Sequence, residues 1–382
     1  MGIIVFCTIE ISRSALVDNA KQFIGLANGV KHFAPVLKSN AYGHGIQQVY
    51  ECLQDLKLEW ICVNYAEEGA ELRALGFRGR ILLVGPMFEK TKFEMAVKHQ
   101  LDVNISNFDG LEIWLANKSP SSAHLKIDTG LSRQGFSLKD LESVAAKINA
   151  SSKHKEKCLG LYTHFANVED VLDYSFAFKQ LKTLNESVML MQQKGINFSF
   201  VHAASSASTL LLEQSRFHLC RVGMSLYGHW PSDATRLSYY QTNSKILNLT
   251  PVLTWKTHIS SLRKVQPGDH IGYGCQYKVM QPMHIAILPI GYYEGYSRQA
   301  GQAQSYVLIQ GKRCMIVGRI CMNMMTVDVT HLPSVKIGEE VVLIGKQGNE
   351  SVTAEQLATW SGTIQYELLS RLNPEIPRIV VD

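Results

Sequence analysis

The sequence contains no uninterrupted apolar stretch that approaches the roughly 20 residues needed to cross a bilayer. A secretory signal is missing too, because the short apolar run at residues 3–6 has no basic residue before it and Glu10 follows soon after. We therefore expect a cytoplasmic protein without a membrane span.

Paired cysteines and a dominant charge are also missing. The eight cysteines are widely spread and form no CxxC pair and no His/Cys zinc spacing, so we expect reduced thiols and no metal site. The net charge is only +5, and the densest basic cluster, at residues 153–157, contains a glutamate. No basic stripe is interleaved with aromatic residues, which argues against nucleic acid as a partner.

The composition is that of a folded enzyme. Hydrophobic residues make up 46% of the 382 residues and charged residues 19%, unlike a disordered or fibrous chain. A chain of this length exceeds the usual single core, so we expect one large domain and one smaller domain.

Short β-like runs alternate with helix-length segments over the first two thirds of the chain. Repeated βα units predict a parallel sheet, and eight of them predict a (β/α)8 TIM-type barrel at residues 1–238, with a doubly wound open sheet as the alternative. The eight predicted strands are 35–38, 60–64, 81–84, 103–106, 125–128, 159–165, 198–202 and 220–227.

After about Trp230 the predicted strands become closely spaced and are separated by glycine-containing turns. This pattern predicts a mainly β domain at residues 239–382, and packing of a short amino-terminal strand against it is left open. A helix is predicted at 354–361 with Thr353 as its cap. The predicted strands are 259–262, 284–288, 315–317, 324–329 and 341–344.

One lysine, Lys38, lies where an apolar run meets a glycine-punctuated turn, in the string VLKSNAYGHG. A lysine at a strand end is held by the sheet, and it forms a Schiff base if its surroundings lower its proton affinity. Before a turn, a lysine is more commonly a solvated surface residue. The complete string, however, resembles the pyridoxal phosphate attachment site of alanine racemases.

Further reactive side chains recur at the predicted strand ends, where a barrel has its active site. Taken singly, a histidine or arginine in a strand is more often structural, but recurrence at one end favours a site. These positions are Arg133, His164, His202, Ser206 and Arg221, the last in the string RVGMSLYG.

Because these motifs follow the order of the alanine racemase family over nearly the whole chain, the sequence is identified as a member of that fold-type III pyridoxal phosphate family. The resemblance implies an isomerase that interconverts L-alanine and D-alanine and supplies D-alanine for peptidoglycan. It also implies a homodimer with shared active sites and pyridoxal 5'-phosphate bound to Lys38 as a Schiff base.

The resemblance assigns the cofactor phosphate to neutral donors: the Tyr42 hydroxyl, Ser206, the Gly223 N–H and Tyr366. Arg221 matches the arginine that donates to the pyridine nitrogen. Because arginine keeps its proton, this nitrogen stays unprotonated, which favours return of the proton to the substrate Cα over transamination.

The resemblance also assigns the neighbours of that arginine. His164 matches the histidine that links it to the catalytic tyrosine. Arg133 matches the arginine near the cofactor's phenolic oxygen and the substrate carboxylate. Lys126 matches a lysine that is carbamylated in many members, and an unmodified ammonium facing Arg133 would be repulsive.

Racemisation requires proton exchange on both faces of one planar carbon, and two bases satisfy this need. The resemblance implies that Lys38 exchanges the Cα proton of the D-antipode and that Tyr273 of the neighbouring subunit exchanges that of the L-antipode. The Met322 backbone N–H would bind the substrate carboxylate. The channel by which substrate enters would involve Tyr292, Tyr366, Arg298 and Arg319.

Three residues depart from the family pattern. Asn323 and Glu294 each stand where an aspartate is usual, and Ser205 replaces an asparagine. They leave the substrate less certain than the reaction. A broader-specificity racemase, acting for example on serine, therefore remains an alternative, although Tyr366 favours a small side chain. A non-catalytic pyridoxal phosphate carrier is a weaker alternative, because that family lacks the second domain and Tyr273.

Overall fold

The computed structural model describes residues 6–169, 172–243 and 246–382, so residues 3–5 of the amino-terminal apolar run lie outside it. The chain divides into two compact units. We call Ser14–Ser39 with Val49–Pro251 the barrel unit, and Met1–Arg13, Asn40–Gln48 and Val252–Asp382 the β unit.

The strands lie in both units. In chain order they are β1 (Cys7–Ser12), β2 (Phe33–Pro35), β3 (Trp60–Val63), β4 (Arg80–Leu83), β5 (Val103–Ile105), β6 (Ala123–Lys126), β7 (Cys158–Tyr162), β8 (Phe200–His202), β9 (Cys220–Val222), β10 (Leu253–His258), β11 (Ser261–Val265), β12 (His270–Ile271), β13 (Tyr277–Lys278), β14 (Met283–Leu288), β15 (Tyr306–Ile309), β16 (Lys312–Met315), β17 (Met325–Asp328), β18 (Glu340–Gln347), β19 (Glu350–Val352) and β20 (Arg378–Val381).

Most helices lie between the strands of the barrel unit. They are α1 (Arg13–Leu26), α2 (Lys38–Tyr42), α3 (Ile46–Leu53), α4 (Ala66–Ala74), α5 (Lys90–Lys98), α6 (Phe108–Leu115), α7 (Leu141–Asn149), α8 (Ser152–Lys157), α9 (Ser175–Gln193), α10 (Ser206–Leu211), α11 (Asp233–Thr242), α12 (Ala354–Trp360) and α13 (Gln365–Ser370).

The described residues of the barrel unit form eight parallel strands, β2 to β9. Parallel ladders join β5, β6, β7 and β8 in that order, and also join β3 to β4 and β2 to β9. Single parallel bridges, Val36 to Cys62 and Leu82 to Asp102, connect these ladders. Next to β9, the Arg221 N–H donates to the Ala204 carbonyl at 3.0 Å. The predicted (β/α)8 class is confirmed.

Burial explains why these short segments form the inner sheet. Every residue of β3, β5, β6 and β9 is buried. Parallel strands covered on both faces are expected to be continuous apolar runs, since water reaches neither side. The polar residues that interrupt them, Asn104 in β5, His124 and Lys126 in β6 and Arg221 in β9, are therefore candidates for function.

The β unit is built mainly from antiparallel strands. Its largest sheet has the order β16-β15-β18-β10-β1-β20, with β19 paired to β18. β1 pairs antiparallel with β10 and parallel with β20, and its buried and half-buried residues alternate, as expected for a strand with one face on a core. Smaller sheets are β11-β14-β17 and β12-β13.

The predicted helix after Thr353 is confirmed as α12, and the Thr353 hydroxyl accepts from the Gln356 N–H at 3.1 Å. Several strand boundaries were wrong. The predicted strand at 315–317 overlaps β16 only at Met315, and that at 159–165 runs three residues past the end of β7. β2 ends at Pro35, before Lys38, because after single sheet bonds at Val36 and Leu37 the chain enters the left-handed backbone that begins at Ser39. Met224–Tyr227 forms a 3₁₀ turn instead of extending β9. The predicted strand at 259–262 begins in the turn between β10 and β11.

Three further features bear on the sequence expectations. Among the described residues, no helix combines the length and the apolar character that a bilayer span requires. Within the same residues, no group of three or more His, Cys, Asp or Glu side chains is arranged to hold a metal ion. All eight cysteines are free thiols.

Candidate active site

Lys38 begins α2, a turn whose backbone is left-handed, unlike that of an ordinary right-handed helix. The four residues that follow it in α2, from Ser39 to Tyr42, have φ angles of +57, +52, +53 and +55°. Left-handed helical backbone costs L-residues about 1–2 kcal/mol each, and runs of it are unusual. Contacts on both sides of the turn must therefore hold it in place.

In the barrel unit, Glu68 of α4 holds the start of this turn. Its carboxylate accepts from the Ser39 N–H at 2.5 Å and from the Asn64 N–H at 2.8 Å. Sequence analysis did not identify Glu68. A signal was present, because Glu68 occupies the third helical position, where a capping carboxylate is expected.

In the β unit, the rest of the turn is held by its own side chains. Asn40 Oδ1 accepts from the Ile46 N–H at 2.9 Å, and buried His44 donates from Nδ1 to the Ala41 carbonyl at 3.0 Å. Gly43 has φ +86°, and a Cβ at this position would lie 1.9 Å from the Leu369 carbonyl oxygen. Only glycine fits there.

Two lysines of the barrel unit have unusual acidity. Lys126 at the end of β6 is only 4% exposed, and burial, followed by the charges of Arg221, Arg133 and Lys38, lowers its pKa to about 7. Burial and Arg133 also lower the pKa of Lys38, against the opposing effect of Glu68. In both amines the neutral, nucleophilic form is thus favoured more than in a solvated lysine.

The same cations surround His164, which follows β7. Burial, then Arg221, Lys126, Arg133 and Lys38, hold the pKa of His164 well below its ordinary value. Four basic side chains thus act on one neutral imidazole. An arrangement with this excess of positive charge is suited to an anionic ligand.

Arg221 is the buried centre of this cluster, with 6% exposure. Its Nη1 donates to His202 Nδ1 at 2.6 Å. Its Nη2 donates to the Thr163 carbonyl at 2.8 Å and the Ala203 carbonyl at 3.2 Å, and lies 3.5 Å from His164 Nδ1. These bonds use three of the five guanidinium N–H groups, so Nε–H and the second Nη1–H are the donors that can serve a ligand.

Ser206 and Gly223, predicted to bind one phosphate, lie together. Ser206 is the first residue of α10, Gly223 follows β9, and the Gly223 N–H donates to Ser206 Oγ at 3.0 Å. Both are buried. A hydroxyl and an adjacent backbone N–H are the neutral donors that suit a phosphate dianion.

The two other predicted phosphate ligands belong to the β unit. Tyr42 ends the left-handed turn and Tyr366 lies in α13, and their rings meet edge to face with centroids 6.4 Å apart. The structure thus brings the two tyrosines together within that unit.

Tyr273, the predicted second base, is 72% exposed in a 3₁₀ turn between Gly272 and Gly274. Both glycines have positive φ. A Cβ on Gly274 would lie 2.9 Å from Arg319 Nη1, and Arg319 Nε donates to Gln276 Oε1 at 2.8 Å. The structure therefore packs Arg319 against the turn that carries Tyr273.

Met322, whose N–H is predicted to bind the substrate carboxylate, lies in a loop that is joined by backbone hydrogen bonds to the loop of the predicted channel residue Tyr292. The Tyr292 N–H donates to the Cys321 carbonyl at 3.1 Å, and the Tyr293 N–H donates to the Met322 carbonyl at 2.9 Å. Arg298 opens a separate, exposed 3₁₀ turn, and among the described residues no hydrogen bond or ion pair joins it to this pair of loops.

Two of the departures from the family pattern, Asn323 and Glu294, contact each other. Asn323 Nδ2 donates to Glu294 Oε1 at 2.7 Å, and Glu294 Oε2 accepts from the Gly291 N–H at 2.8 Å. An aspartate at 323 would oppose Glu294 with a like charge. The amide at 323 thus gives Glu294 a hydrogen-bond donor in place of a second carboxylate.

Comparisons with known proteins identify the family. The family model described as "Alanine racemase, N-terminal domain" matches residues 11–231, and "Alanine racemase, C-terminal domain" matches residues 252–380. The alanine racemase of Leptospira interrogans (serogroup Icterohaemorrhagiae serovar copenhageni, strain Fiocruz L1-130) is 36% identical over 387 residues, covering 98% of this chain and 95% of the relative. That of Carboxydothermus hydrogenoformans is 35% identical over 354 residues, covering 91% and 92%.

Solved structures give the same result. The alanine racemase from Bacillus anthracis with bound L-Ala-P has a TM-score of 0.90 at 27% identity, over 100% of this chain and 96% of that one. Another, from Clostridium difficile 630, has a TM-score of 0.88 at 29% identity, over 100% and 97%. The membership inferred from the motifs is confirmed: this chain belongs to the alanine racemase family, a family of isomerases.

Proposed function

We propose that this protein is a cytoplasmic alanine racemase, a homodimer that interconverts L-alanine and D-alanine with pyridoxal 5'-phosphate bound covalently through Lys38. The observation that carries the proposal is a group of four basic side chains in the barrel unit, in which buried Arg221 lies 3.5 Å from His164 and Lys38, Lys126 and Arg133 act on the same imidazole. Lys38, one of the four, has a lowered pKa, as an amine that bonds to a carbonyl requires.

The donor set of the barrel unit fits this cofactor. Ser206 and the Gly223 N–H would hold the phosphate, and Arg221 would donate to the ring nitrogen. By motif resemblance, Tyr42 and Tyr366 are proposed as further phosphate donors. The bound cofactor would supply an electron-withdrawing group that acidifies the substrate Cα.

Two protein groups would then hold and return the Cα proton. Lys38 is proposed for the proton of D-alanine, because its lowered pKa leaves the amine free to act as a base. Tyr273 is proposed for the proton of L-alanine. Since the phenol is 72% exposed, it is available to reach the active site of a second copy.

Lys126 is proposed to carry a carbamate. A buried amine with a pKa of about 7 is largely neutral above that pH, and a neutral amine adds to carbon dioxide. The product is an anion, which would be stabilised by Arg133 and Arg221. Mass analysis of intact peptides, prepared without acid, should find the modification on Lys126, and an unmodified amine would exclude it.

Substrate recognition is proposed to involve Arg133 and the Met322 N–H, both directed at the carboxylate. Tyr292, Tyr366, Arg298 and Arg319 would line the channel that admits the substrate. Its narrowness favours alanine over serine or larger amino acids, and assays on a panel of L-amino acids test this preference.

The central experiment compares the parent with Lys38→Ala and Tyr273→Phe. The visible absorption of bound cofactor and the loss of optical rotation from L-alanine are recorded for each. Lys38→Ala should lose the covalent cofactor. Tyr273→Phe should keep the cofactor band but lose activity by about 100-fold or more, since general acid–base groups contribute about 10²–10⁴-fold.

Matched controls are Lys31→Ala, an exposed lysine before β2, and Tyr240→Phe, an exposed tyrosine of α11. Both should resemble the parent. A fully active Tyr273→Phe protein would exclude the two-base assignment. Retention of the covalent cofactor by Lys38→Ala would exclude Lys38 as its attachment site.

A further inference from the structure

Arg221 is one end of a line of polar side chains that runs through the barrel unit. His202 Nδ1 accepts from Arg221 at 2.6 Å, and His202 Nε2 lies 2.8 Å from His124 Nδ1. His124 Nε2 faces Asp102 Oδ2 at 3.5 Å, and Arg80 Nη2 lies 2.7 Å from the same oxygen. Asp102 precedes β5 and Arg80 begins β4, so the line ends at the amino ends of the strands.

The line is enclosed by protein. His124 and His202 are fully buried and Asp102 is 6% exposed. The Tyr162 ring stacks on His202 with centroids 4.6 Å apart, and the Phe200 ring is parallel to His124 at 6.0 Å. In such a water-poor setting, hydrogen-bonding partners decide which nitrogen carries each proton.

One glycine makes space for the line. A Cβ on Gly160 of β7 would lie 2.0 Å from His124 Nδ1. The absence of a side chain at this position thus permits the His124 ring to reach His202. The contact between the two histidines is therefore built into the inner sheet, where large residues otherwise fill the space.

The positions of the protons on His202 and His124 follow from the hydrogen bond that Arg221 donates at one end of the line. A guanidinium only donates, so His202 Nδ1 must be an acceptor, and neutral His202 carries its proton on Nε2. That N–H donates to His124 Nδ1, so neutral His124 also carries its proton on Nε2. This second N–H points at the Asp102 carboxylate, which Arg80 pairs from the other side.

We propose that Arg221, His202 and His124 form a one-directional hydrogen-bond relay that ends 3.5 Å from the Asp102 carboxylate, and that the two histidines and the aspartate are positioning residues that hold the Arg221 guanidinium in one orientation. The relay commits one Nη1–H to protein and leaves Nε–H among the donors available to the ring nitrogen of the cofactor. The positioning role of the relay rests on the proposed function, in which Arg221 binds the cofactor. The positions of the histidine protons do not depend on that function.

The proton positions are tested directly by NMR of protein labelled with 15N in its histidine rings. Both the cofactor-free and the cofactor-loaded forms are measured, and His124→Asn and His202→Asn assign the signals. His124 and His202 should each carry one proton, on Nε2. A proton on Nδ1 of either ring would overturn the relay.

The positioning role is tested with His124→Phe, which removes the donor and the acceptor but keeps a ring. Loss of a group that orients a ligand-binding residue typically costs 10–100-fold in activity or affinity. We expect kcat for L-alanine to fall about tenfold or more with little change in KM, and the absorption maximum of bound cofactor to shift. His124→Asn, whose amide oxygen accepts near the Nδ1 position, should restore most of kcat.

The control is His154→Phe, a ring that is also buried and hydrogen-bonded but lies outside the line. It should lower stability without changing kcat or the absorption maximum. Equal effects of both variants on kcat would overturn the positioning role. If His124→Phe does not fold, the NMR result and the His124→Asn kinetics decide. Failure of the proposed function would appear instead as covalent cofactor retained by Lys38→Ala, with the histidine protons unchanged.

Discussion

Two predicted site residues of the barrel unit, Lys126 and Arg221, differ from three of the β unit in how far their own unit completes their surroundings. In the barrel unit, Lys126 and Arg221 are 4% and 6% exposed and are held by several neighbours. In the β unit, Tyr273, Met322 and Tyr292 are 72%, 55% and 44% exposed. The first set is organised within one unit, whereas the second is presented outward, as groups that act on another copy must be.

The comparison is tested most strongly by removing a buried charge. Arg221→Met leaves His202 Nδ1 and the Thr163 and Ala203 carbonyls without their donor, so we expect a loss of about 3–5 kcal/mol in the free energy of unfolding. Arg319→Met in the β unit, which removes one bond to Gln276, should cost about 1 kcal/mol or less. Urea denaturation measures both, and equal losses would contradict the comparison.

The pH dependence of stability sharpens the comparison at Lys126. Its folded pKa, about 7, lies below the ordinary lysine value of 10.5, so the unfolded chain binds more protons between these values. In protein freed of any carbamate, stability should therefore rise with pH from about 7 towards 10.5. Unfolding across this window of the parent, dialysed without carbon dioxide, and of Lys126→Met shows the difference. A parent and variant with parallel pH profiles would contradict it.

The turn after Lys38 lies where the chain passes from one unit to the other. Gly43→Ala would force a Cβ against the Leu369 carbonyl and strain a residue at φ +86°, so we expect a loss of about 2–3 kcal/mol. Gly76→Ala shares the positive φ, +100°, but no atom lies within 4 Å of its Cβ. It should cost about 1 kcal/mol. Thermal unfolding separates the effect of the contact from that of the strain.

The smallest effect is expected at the exposed side of the β unit. Asn323→Asp replaces the amide that donates to Glu294 by a second carboxylate, so we expect a loss of about 1 kcal/mol at neutral pH. Acidification should relieve it, because protonation removes the repulsion. The double variant Asn323→Asp with Glu294→Gln should recover the parent stability at neutral pH, and failure to recover would show that the pair is not coupled.

Sequence patterns predicted the inner sheet because its strands are short, buried apolar runs, and they singled out most candidate site residues because these follow the strands. They missed the end of β2 and the turn at Met224–Tyr227, because both segments look as apolar as a strand. The pairing of Asn323 with Glu294 joins residues 29 positions apart and could not be read from either motif.

The histidine relay was missed for a related reason. His202 stood out at a strand end, but His124 and Asp102 lie in or beside apolar strands without any motif. Neither local propensity nor spacing brings them together, because the alignment of neighbouring strands in the barrel decides which side chains meet. The sequence did not indicate the left-handed turn either, because Ser39 to Tyr42 have positive φ but include no glycine, the residue that usually signals it.

That turn has a consequence for protein chemistry. Ser39 is exposed and has φ +57°, a conformation that the mirror-image amino acid adopts without steric cost. A semisynthetic protein with D-serine at this position should therefore fold to the same backbone and gain about 1–2 kcal/mol. At Ser39, directly after Lys38, the backbone conformation thus suits a D-amino acid better than the L-serine that is present.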